Sequence, residues 1–219
     1  MPSFSAARVD PASGEKARQL VVFLHGVGVD GNDLIGLAPY FAARLPHAAF
    51  LAPDAPFPYD MAPMGRQWFS LADRSPATIL AGVERAAPIL NGFLDDALDS
   101  FGLDEQHLAL VGFSQGTMMA LHVALRRPHP CAALVGYSGR LIAPGQLAHA
   151  IKSRPPMLLV HGDSDEMVPP ASLPAAEQAL RAAGIDVTAR MCPGLGHGIN
   201  DEGVTLGVAF LARHLGMTH

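Results

Sequence analysis

Three residue types used together in acyl transfer each follow a short apolar segment of the sequence. Ser114 stands at the centre of a Gly-x-Ser-x-Gly pattern, Asp163 and Asp165 follow a second apolar segment, and His197 lies in a glycine-flanked segment after a third. A serine hydroxyl is a weak nucleophile at neutral pH, so it needs a base that is itself held by an acid. The sequence therefore predicts Ser114 as nucleophile, His197 as base, and either Asp163 or Asp165 as acid.

The two glycines around the serine have a steric explanation. Gly112 and Gly116 flank Ser114 at a predicted strand-to-helix turn, where larger side chains would clash with neighbouring backbone. Acyl transfer also develops negative charge on the carbonyl oxygen, and two backbone N–H groups stabilise that charge in this kind of site. We expect these donors to be the amides of Gln115 and Val27, the latter in the glycine-rich loop after the first apolar segment.

The same glycine-rich loop allows a different interpretation. Gly26–Gly31 contains G-x-G-x-x-G, and Asp54 lies where a ribose-binding acid would be expected in a dinucleotide-binding protein. Two carboxylates, Asp30 and Asp33, would lie beside the pyrophosphate and oppose its binding. The oxyanion interpretation is therefore favoured over the dinucleotide one.

Apolar segments that alternate with helical patterns must position these residues. The predicted strands are Gln19–His25, Ala48–Ala52, Leu108–Phe113, Ala132–Tyr137, Met157–His161 and Val187–Met191, each buried on both faces. The predicted helices are Leu34–Leu45, Ala77–Phe101, Gln115–Arg127, Ala171–Ala183 and Val204–Leu215, and Pro88 should kink or split the second of them. This order indicates an α/β fold, with a mostly parallel sheet flanked by helices on both faces, in a single domain over residues 1–219. Ligands bind at the carboxyl ends of the strands in such sheets, and the candidate residues lie there.

Composition excludes several function classes. Fifteen Lys and Arg against 20 Asp and Glu give a net charge of −5, which argues against nucleic acid or an anionic membrane surface as a partner. Cys131 and Cys192 make no disulfide framework, and no His/Cys spacing typical of a metal site occurs. The segment Met1–Asp10 lacks the pattern of a secretory signal, and no apolar stretch is long enough to span a membrane, so we expect a cytoplasmic protein.

The motifs together resemble the phospholipase/carboxylesterase family of α/β-hydrolases, which includes acyl-protein thioesterases and small bacterial carboxylesterases. The matching segments are Phe23–Gly28, Gln67–Phe69, Gly112–Gly116, His161–Pro169 and Gly194–His197. In the family's H-G-x-x-D-x-x-V-P pattern the aspartate is the triad acid, so the resemblance implies Asp165 rather than Asp163. Many acyl-protein thioesterases have an Asp where this chain has Ser70, and this difference favours a carboxylesterase.

The resemblance implies a serine carboxylesterase that hydrolyses short-to-medium-chain esters through an acyl-enzyme, without a cofactor. An acyl-protein thioesterase or a lysophospholipase would use the same triad, a peptidase or perhydrolase would share the fold, and a non-catalytic binding protein is the alternative from a different class. The segment from Ser138 to Pro156 is too short for a cap domain. The expected partner is a small-molecule ester, and a homodimer is left open. The expected apolar substrate-binding wall is the segment Phe57–Leu71, with candidates Phe57, Met61, Met64, Trp68 and Phe69, although Trp68 and Phe69 could equally be core residues.

Overall fold

A central sheet with helices on both faces forms the structure, a computed structural model that describes residues 5–216. The strands are β1 (Ala6–Val9), β2 (Gln19–Leu24), β3 (Ala48–Pro53), β4 (Phe57–Pro58), β5 (Arg66–Gln67), β6 (Leu108–Phe113), β7 (Ala133–Tyr137), β8 (Met157–Gly162) and β9 (Val187–Cys192). The helices are α1 (Gly31–Ile35), α2 (Ala38–Ala42), α3 (Pro76–Phe101), α4 (Gln115–Ala124), α5 (Leu147–Ala150), α6 (Ser172–Ala182) and α7 (Asp201–Leu215). The segment Met1–Asp10, in which no secretory signal is predicted, includes four residues that lie outside the described residues.

All six predicted strands are present and run parallel to one another in the sheet. Its order is β1-β3-β2-β6-β7-β8-β9, and only the edge strand β1 runs antiparallel to its neighbour β3. Strand β1 was not predicted, because Ala6–Val9 is short and only partly buried, without an apolar run. The small β4–β5 hairpin was not predicted either, because its strands have two residues each.

The core lies on both faces of the sheet, which explains why the inner strands read as continuous apolar runs. Side chains of α3, α4 and α6 pack in the cluster on one face, and side chains of α1, α2 and α7 pack in the cluster on the other. Strand β9 differs from the prediction of burial on both faces. It lies at the edge of the sheet, and Thr188 and Arg190 are exposed there.

Two predicted helices differ from the structure. The pattern Leu34–Leu45 forms two short helices, α1 and α2, because Gly36 ends the first and Pro39 favours a new first turn. By contrast, α3 is not split at Pro88 but runs for 26 residues. Pro88 has no N–H to donate to the Glu84 carbonyl. Both residues are exposed, so water can replace the missing hydrogen bond.

The connection from β7 to β8 holds only a short 3₁₀ turn, Pro144–Gln146, and the four-residue helix α5. This connection is too short to form a separate cap over the carboxyl ends of β6, β7 and β8. Among residues 5–216, no helix is long and apolar enough to cross a membrane.

Candidate active site

Ser114 lies on a strained turn between β6 and α4. Its φ of 53° and ψ of −114° lie outside the ordinary regions for a non-glycine residue, and its N–H donates to the Tyr137 carbonyl at 2.9 Å. A Cβ on Gly116 would lie 1.8 Å from the Leu24 carbonyl oxygen, and one on Gly112 would lie 2.6 Å from backbone atoms of the next helix. The predicted need for glycine on both sides of Ser114 is therefore confirmed.

Ser114, His197 and Asp165 form a continuous chain of hydrogen bonds. His197 Nε2 lies 3.0 Å from Ser114 Oγ, and His197 Nδ1 lies 2.8 Å from Asp165 Oδ2. Asp163 takes no part, because its Oδ1 accepts from the Gly194 N–H at 2.7 Å on the surface. Of the two aspartates that the spacing allows, Asp165 and not Asp163 contacts His197. This arrangement can pass the hydroxyl proton to the imidazole while the carboxylate fixes the ring.

The Asp165 carboxylate is buried and fully hydrogen-bonded. It is 4% exposed, and its Oδ1 accepts from the N–H groups of Met167 at 2.8 Å and Val168 at 2.9 Å. Burial acts to raise the pKa of Asp165, but hydrogen bonds from Val168, His197 and Met167 outweigh it and leave the pKa below its ordinary value. Asp165 is therefore a fixed negative charge that can stabilise a protonated His197.

His161 is a second histidine on the same carboxylate, a contact that the sequence patterns do not predict. Its Nε2 lies 3.1 Å from Asp165 Oδ2 and 3.0 Å from the Val168 carbonyl oxygen, and the residue is buried. Both neighbours are acceptors, so Nε2 carries a proton and donates to them. The side chain thereby limits the rotation of Asp165.

The two predicted oxyanion donors line one pocket with Ser114. Val27 lies in the loop after β2 and Gln115 is the first residue of α4, and among the described residues neither backbone N–H donates to a protein acceptor. Two free N–H groups beside a serine hydroxyl can bind a developing oxyanion.

Side-chain hydrogen bonds connect the start of α4 to the loop after β2. Gln115 Oε1 accepts from the Trp68 N–H at 2.8 Å, and Gln115 Nε2 donates to the Phe69 carbonyl at 2.7 Å. The Trp68 indole N–H then donates to the His25 carbonyl at 3.0 Å, at the end of β2. Trp68 thus connects the start of α4, through its backbone N–H, to the loop that carries Val27, through its indole.

The His25 side chain holds the start of the Val27 loop. Its Nε2 accepts from the Ala55 N–H at 2.9 Å, so the proton resides on Nδ1, which donates to the Gly26 carbonyl at 2.6 Å. Burial lowers the pKa of His25, more than the Gly26 hydrogen bond and nearby carboxylates raise it. The sequence shows a histidine directly before a glycine-rich loop, but neither its burial nor its partners.

The pocket wall differs from the predicted one. The pocket has a volume of about 270 Å³, and its apolar lining comes from Val27, Val29, Leu71, Phe113, Met118, Met167, Val168 and Pro169. Trp68 and Phe69 are fully buried in the core, and Phe57 packs against that core beneath Arg85. Met61 and Met64 lie in the β4–β5 hairpin and are exposed. None of the five candidates lines the pocket, and of the predicted segment Phe57–Leu71 it is Leu71 that does.

The glycine-rich loop does not have the form of a dinucleotide site. Asp54 Oδ1 accepts from the Gly31 N–H at 3.0 Å and Asp30 caps the five-residue helix α1, so both carboxylates serve the turn itself. A Cβ on Gly31 would lie 2.1 Å from the Ala52 carbonyl oxygen, which explains this glycine by close packing. Within the described part of the chain, no group of three or more His, Cys, Asp or Glu side chains could hold a metal ion.

Known proteins match this chain over most of its length. The esterase YpfH of Escherichia coli (strain K12) is 29% identical over 186 residues, which cover 85% of this chain and 78% of YpfH. Acyl-protein thioesterase 1 of Saccharomyces cerevisiae is 30% identical over 177 residues, 75% of each chain. The crystal structure of esterase PE8 superimposes with a TM-score of 0.93 at 41% identity, covering 97% of this chain and 99% of that one. The predicted α/β-hydrolase fold is thereby confirmed.

The sequence model of the phospholipase/carboxylesterase family matches residues 7–215, nearly the whole chain. The similar proteins named above are an esterase from bacteria and a thioesterase from yeast, both hydrolases. The chain belongs to the phospholipase/carboxylesterase family of hydrolases.

Proposed function

We propose that this protein is a serine carboxylesterase that hydrolyses short-to-medium-chain carboxylic esters through an acyl-enzyme. The observation that carries the proposal is the 3.0 Å contact of His197 Nε2 with Ser114 Oγ, together with the 2.8 Å contact of His197 Nδ1 with Asp165. These distances are within hydrogen-bond range, as a nucleophile, its base and the orienting acid require.

In the acylation half-reaction, Ser114 Oγ attacks the ester carbonyl carbon while its proton passes to His197 Nε2. The carbonyl oxygen becomes an oxyanion that accepts hydrogen bonds from the Val27 and Gln115 amides, each of which lowers the barrier by about 2–4 kcal/mol. The carbon–oxygen bond to the alcohol then breaks, and His197 returns the proton to the leaving oxygen. The Asp165 carboxylate stabilises the imidazolium between these two transfers.

In the deacylation half-reaction, a water molecule takes the place of the alcohol. His197 removes one proton from this water as its oxygen attacks the acyl carbon, and the same two amides hold the second oxyanion. The bond to Ser114 Oγ breaks, and Ser114 recovers its proton from His197. The products are the carboxylic acid, the alcohol and the unchanged enzyme, so the reaction needs no cofactor.

A series of p-nitrophenyl esters from acetate to decanoate tests the activity and measures the acyl pocket. We expect hydrolysis with a maximum of kcat/KM at short or medium acyl chains, because apolar side chains line the pocket of about 270 Å³. The rate should not change when a chelator is added. A chelator-sensitive rate would contradict the metal-free mechanism, and inertness towards every ester would favour a non-catalytic binding protein.

Thioester hydrolysis is a second candidate, supported by the similarity to the yeast acyl-protein thioesterase 1. Ser70 occupies the position at which many family thioesterases have an aspartate, and its hydroxyl donates to the Asp60 carboxylate, so a carboxylate is present beside it after all. A comparison of kcat/KM for matched oxygen and thiol esters of one acyl chain distinguishes the two activities. The lysophospholipase alternative is tested in the same way with a lysophospholipid.

Three expectations from the sequence stay proposals: a single folded domain, a cytoplasmic location and self-association as a homodimer. Thermal unfolding with one cooperative transition would support the first. Cell fractionation with a tagged full-length chain tests the second. Analytical ultracentrifugation across a range of protein concentrations tests the third.

A further inference from the structure

Two arginines without an acidic partner lie beside Ser114. Arg74 and Arg140 both line the pocket around Ser114, and both also line an adjoining groove of about 430 Å³. Within residues 5–216, neither guanidinium forms a salt bridge or a hydrogen bond, and the Nε of Arg140 is buried without a partner. A buried, unpaired guanidinium nitrogen is unfavourable unless an acceptor from outside the chain binds it.

The backbone holds Arg140 close to the nucleophile. Arg140 follows β7, and the preceding Ser138 has a positive φ of 47° and donates from its hydroxyl to the Gly198 carbonyl at 3.1 Å. Gly139 packs so tightly that a Cβ there would lie 3.1 Å from the Ser114 carbonyl oxygen. A residue with positive φ in a closely packed turn must be held by its surroundings, so the backbone that carries Arg140 has a defined position beside the site.

Charge is distributed unequally across the pocket. Strand β6, which leads to Ser114, lies between β2 and β7 in the sheet. Asp33 lines the pocket from α1, which follows β2, whereas Arg140 lines it from the segment after β7. An anionic group on a bound ester is repelled on the β2 side and attracted on the β7 side.

We propose, on the basis of the proposed esterase function, that the enzyme prefers esters that carry a carboxylate or phosphate group bound by Arg140 and Arg74. A guanidinium presents paired N–H donors that match the oxygens of either anion. The groove that the two arginines line also has apolar side chains, among them Ile79, Leu80, Leu141 and Ile142, so an apolar part of the substrate can lie in it beside the anion. The opposite charges of Asp33 and Arg140 also determine whether the acyl or the alcohol half of the ester lies on the β7 side of the pocket.

Matched pairs of charged and neutral esters test this preference. One pair is the mono-p-nitrophenyl ester of adipate or suberate and its distal methyl ester, which places the charge in the acyl half. The other pairs place a carboxylate or a phosphate in the alcohol half of a butyrate ester, with rates followed by pH-stat. The readout is the ratio of kcat/KM for the charged ester to that for its neutral partner, because this ratio cancels losses common to both.

We expect a ratio of roughly 10 or more for at least one pair, since one tenfold step corresponds to the gain from one good charged hydrogen bond. Arg140→Gln and Arg74→Gln should each lower this ratio several-fold, and added salt should lower it as well. Arg44→Gln removes the same charge at an exposed residue outside the pocket and serves as the matched control. Circular dichroism and melting curves check that each variant is folded.

The outcomes separate this inference from the proposed function. Hydrolysis of the neutral esters with ratios near 1 in every pair would overturn the anion preference and leave the esterase intact. A high ratio that survives in both arginine variants, or that falls equally in Arg44→Gln, would also overturn it. Inertness towards all the esters, neutral and charged, would overturn the proposed function and the preference together.

Discussion

The side chain of Gln115 provides a quantitative test of how the site is assembled. Gln115→Leu keeps the backbone N–H of residue 115 but removes the two hydrogen bonds to the Trp68 N–H and the Phe69 carbonyl, at 2.8 and 2.7 Å. Both groups belong to fully buried residues, and leaving each unpaired costs about 1–3 kcal/mol. The free energy of unfolding should therefore fall by roughly 2–6 kcal/mol, which lowers Tm by about 5–20 °C for a chain of this size.

Thermal and urea unfolding of Gln115→Leu measure this loss, and Gln178→Leu is the control. Gln178 is exposed on α6 and its side chain has no hydrogen bond within residues 5–216, so its replacement should change stability by no more than about 0.5 kcal/mol. Ester hydrolysis by the folded fraction of Gln115→Leu should fall less than about 100-fold, since the oxyanion donor at residue 115 remains. Equal Tm values for the two variants would refute the proposed bridging role of the Gln115 side chain.

Three further outcomes follow from the structure. Gly116→Ala should prevent correct folding of the turn at Ser114, because its Cβ would lie 1.8 Å from a carbonyl oxygen, whereas Gly92→Ala on α3 has open space and should stabilise the chain by about 0.5–1 kcal/mol in urea unfolding. Asp165→Asn should fold but lose roughly 10⁴-fold in kcat, and a loss below about tenfold in esterase assays would contradict its orienting role. Burial lowers the pKa of His25, and burial followed by the nearby Arg126 charge lowers that of His122 to about 4 from an ordinary value of 6.5. The unfolded chain then binds more protons below pH 6.5, so the free energy of unfolding should fall from pH 6.5 towards pH 4, and urea titrations should find a smaller fall in His122→Gln.

Local patterns in the sequence predicted much of the fold and the contact between Ser114 and His197. Because parallel strands end at one edge of the sheet, the order of the apolar segments was enough to predict that Ser114 and His197 lie close together. The choice of Asp165 over Asp163 needed the family resemblance, because spacing alone allows either carboxylate to follow β8. The structure shows contact with Asp165 and a surface turn around Asp163.

The supporting contacts could not be predicted, because they join residues that are distant in the sequence. Trp68 and Gln115 are 47 residues apart, and the indole N–H of Trp68 reaches the His25 carbonyl across 43 residues. An apolar pattern does not reveal whether an aromatic side chain faces a ligand or the core, so the five candidates were assigned to the pocket wall, whereas Leu71 is the residue of their segment that lines it. The arginines beside the pocket were missed for a similar reason, since an unpaired charge becomes visible only once its neighbours are known.

The most direct test of the central claim is to identify the residue that a fluorophosphonate probe modifies, by mass spectrometry of the digested protein. Ser114 should carry one label per chain, and Ser114→Ala should carry none while remaining folded by circular dichroism. Ser138→Ala is the matched control, because Ser138 is a second serine with positive φ at a strand end, and this variant should still be labelled at residue 114. A label on another residue, or none on the native protein, would contradict the assignment of Ser114 as the nucleophile.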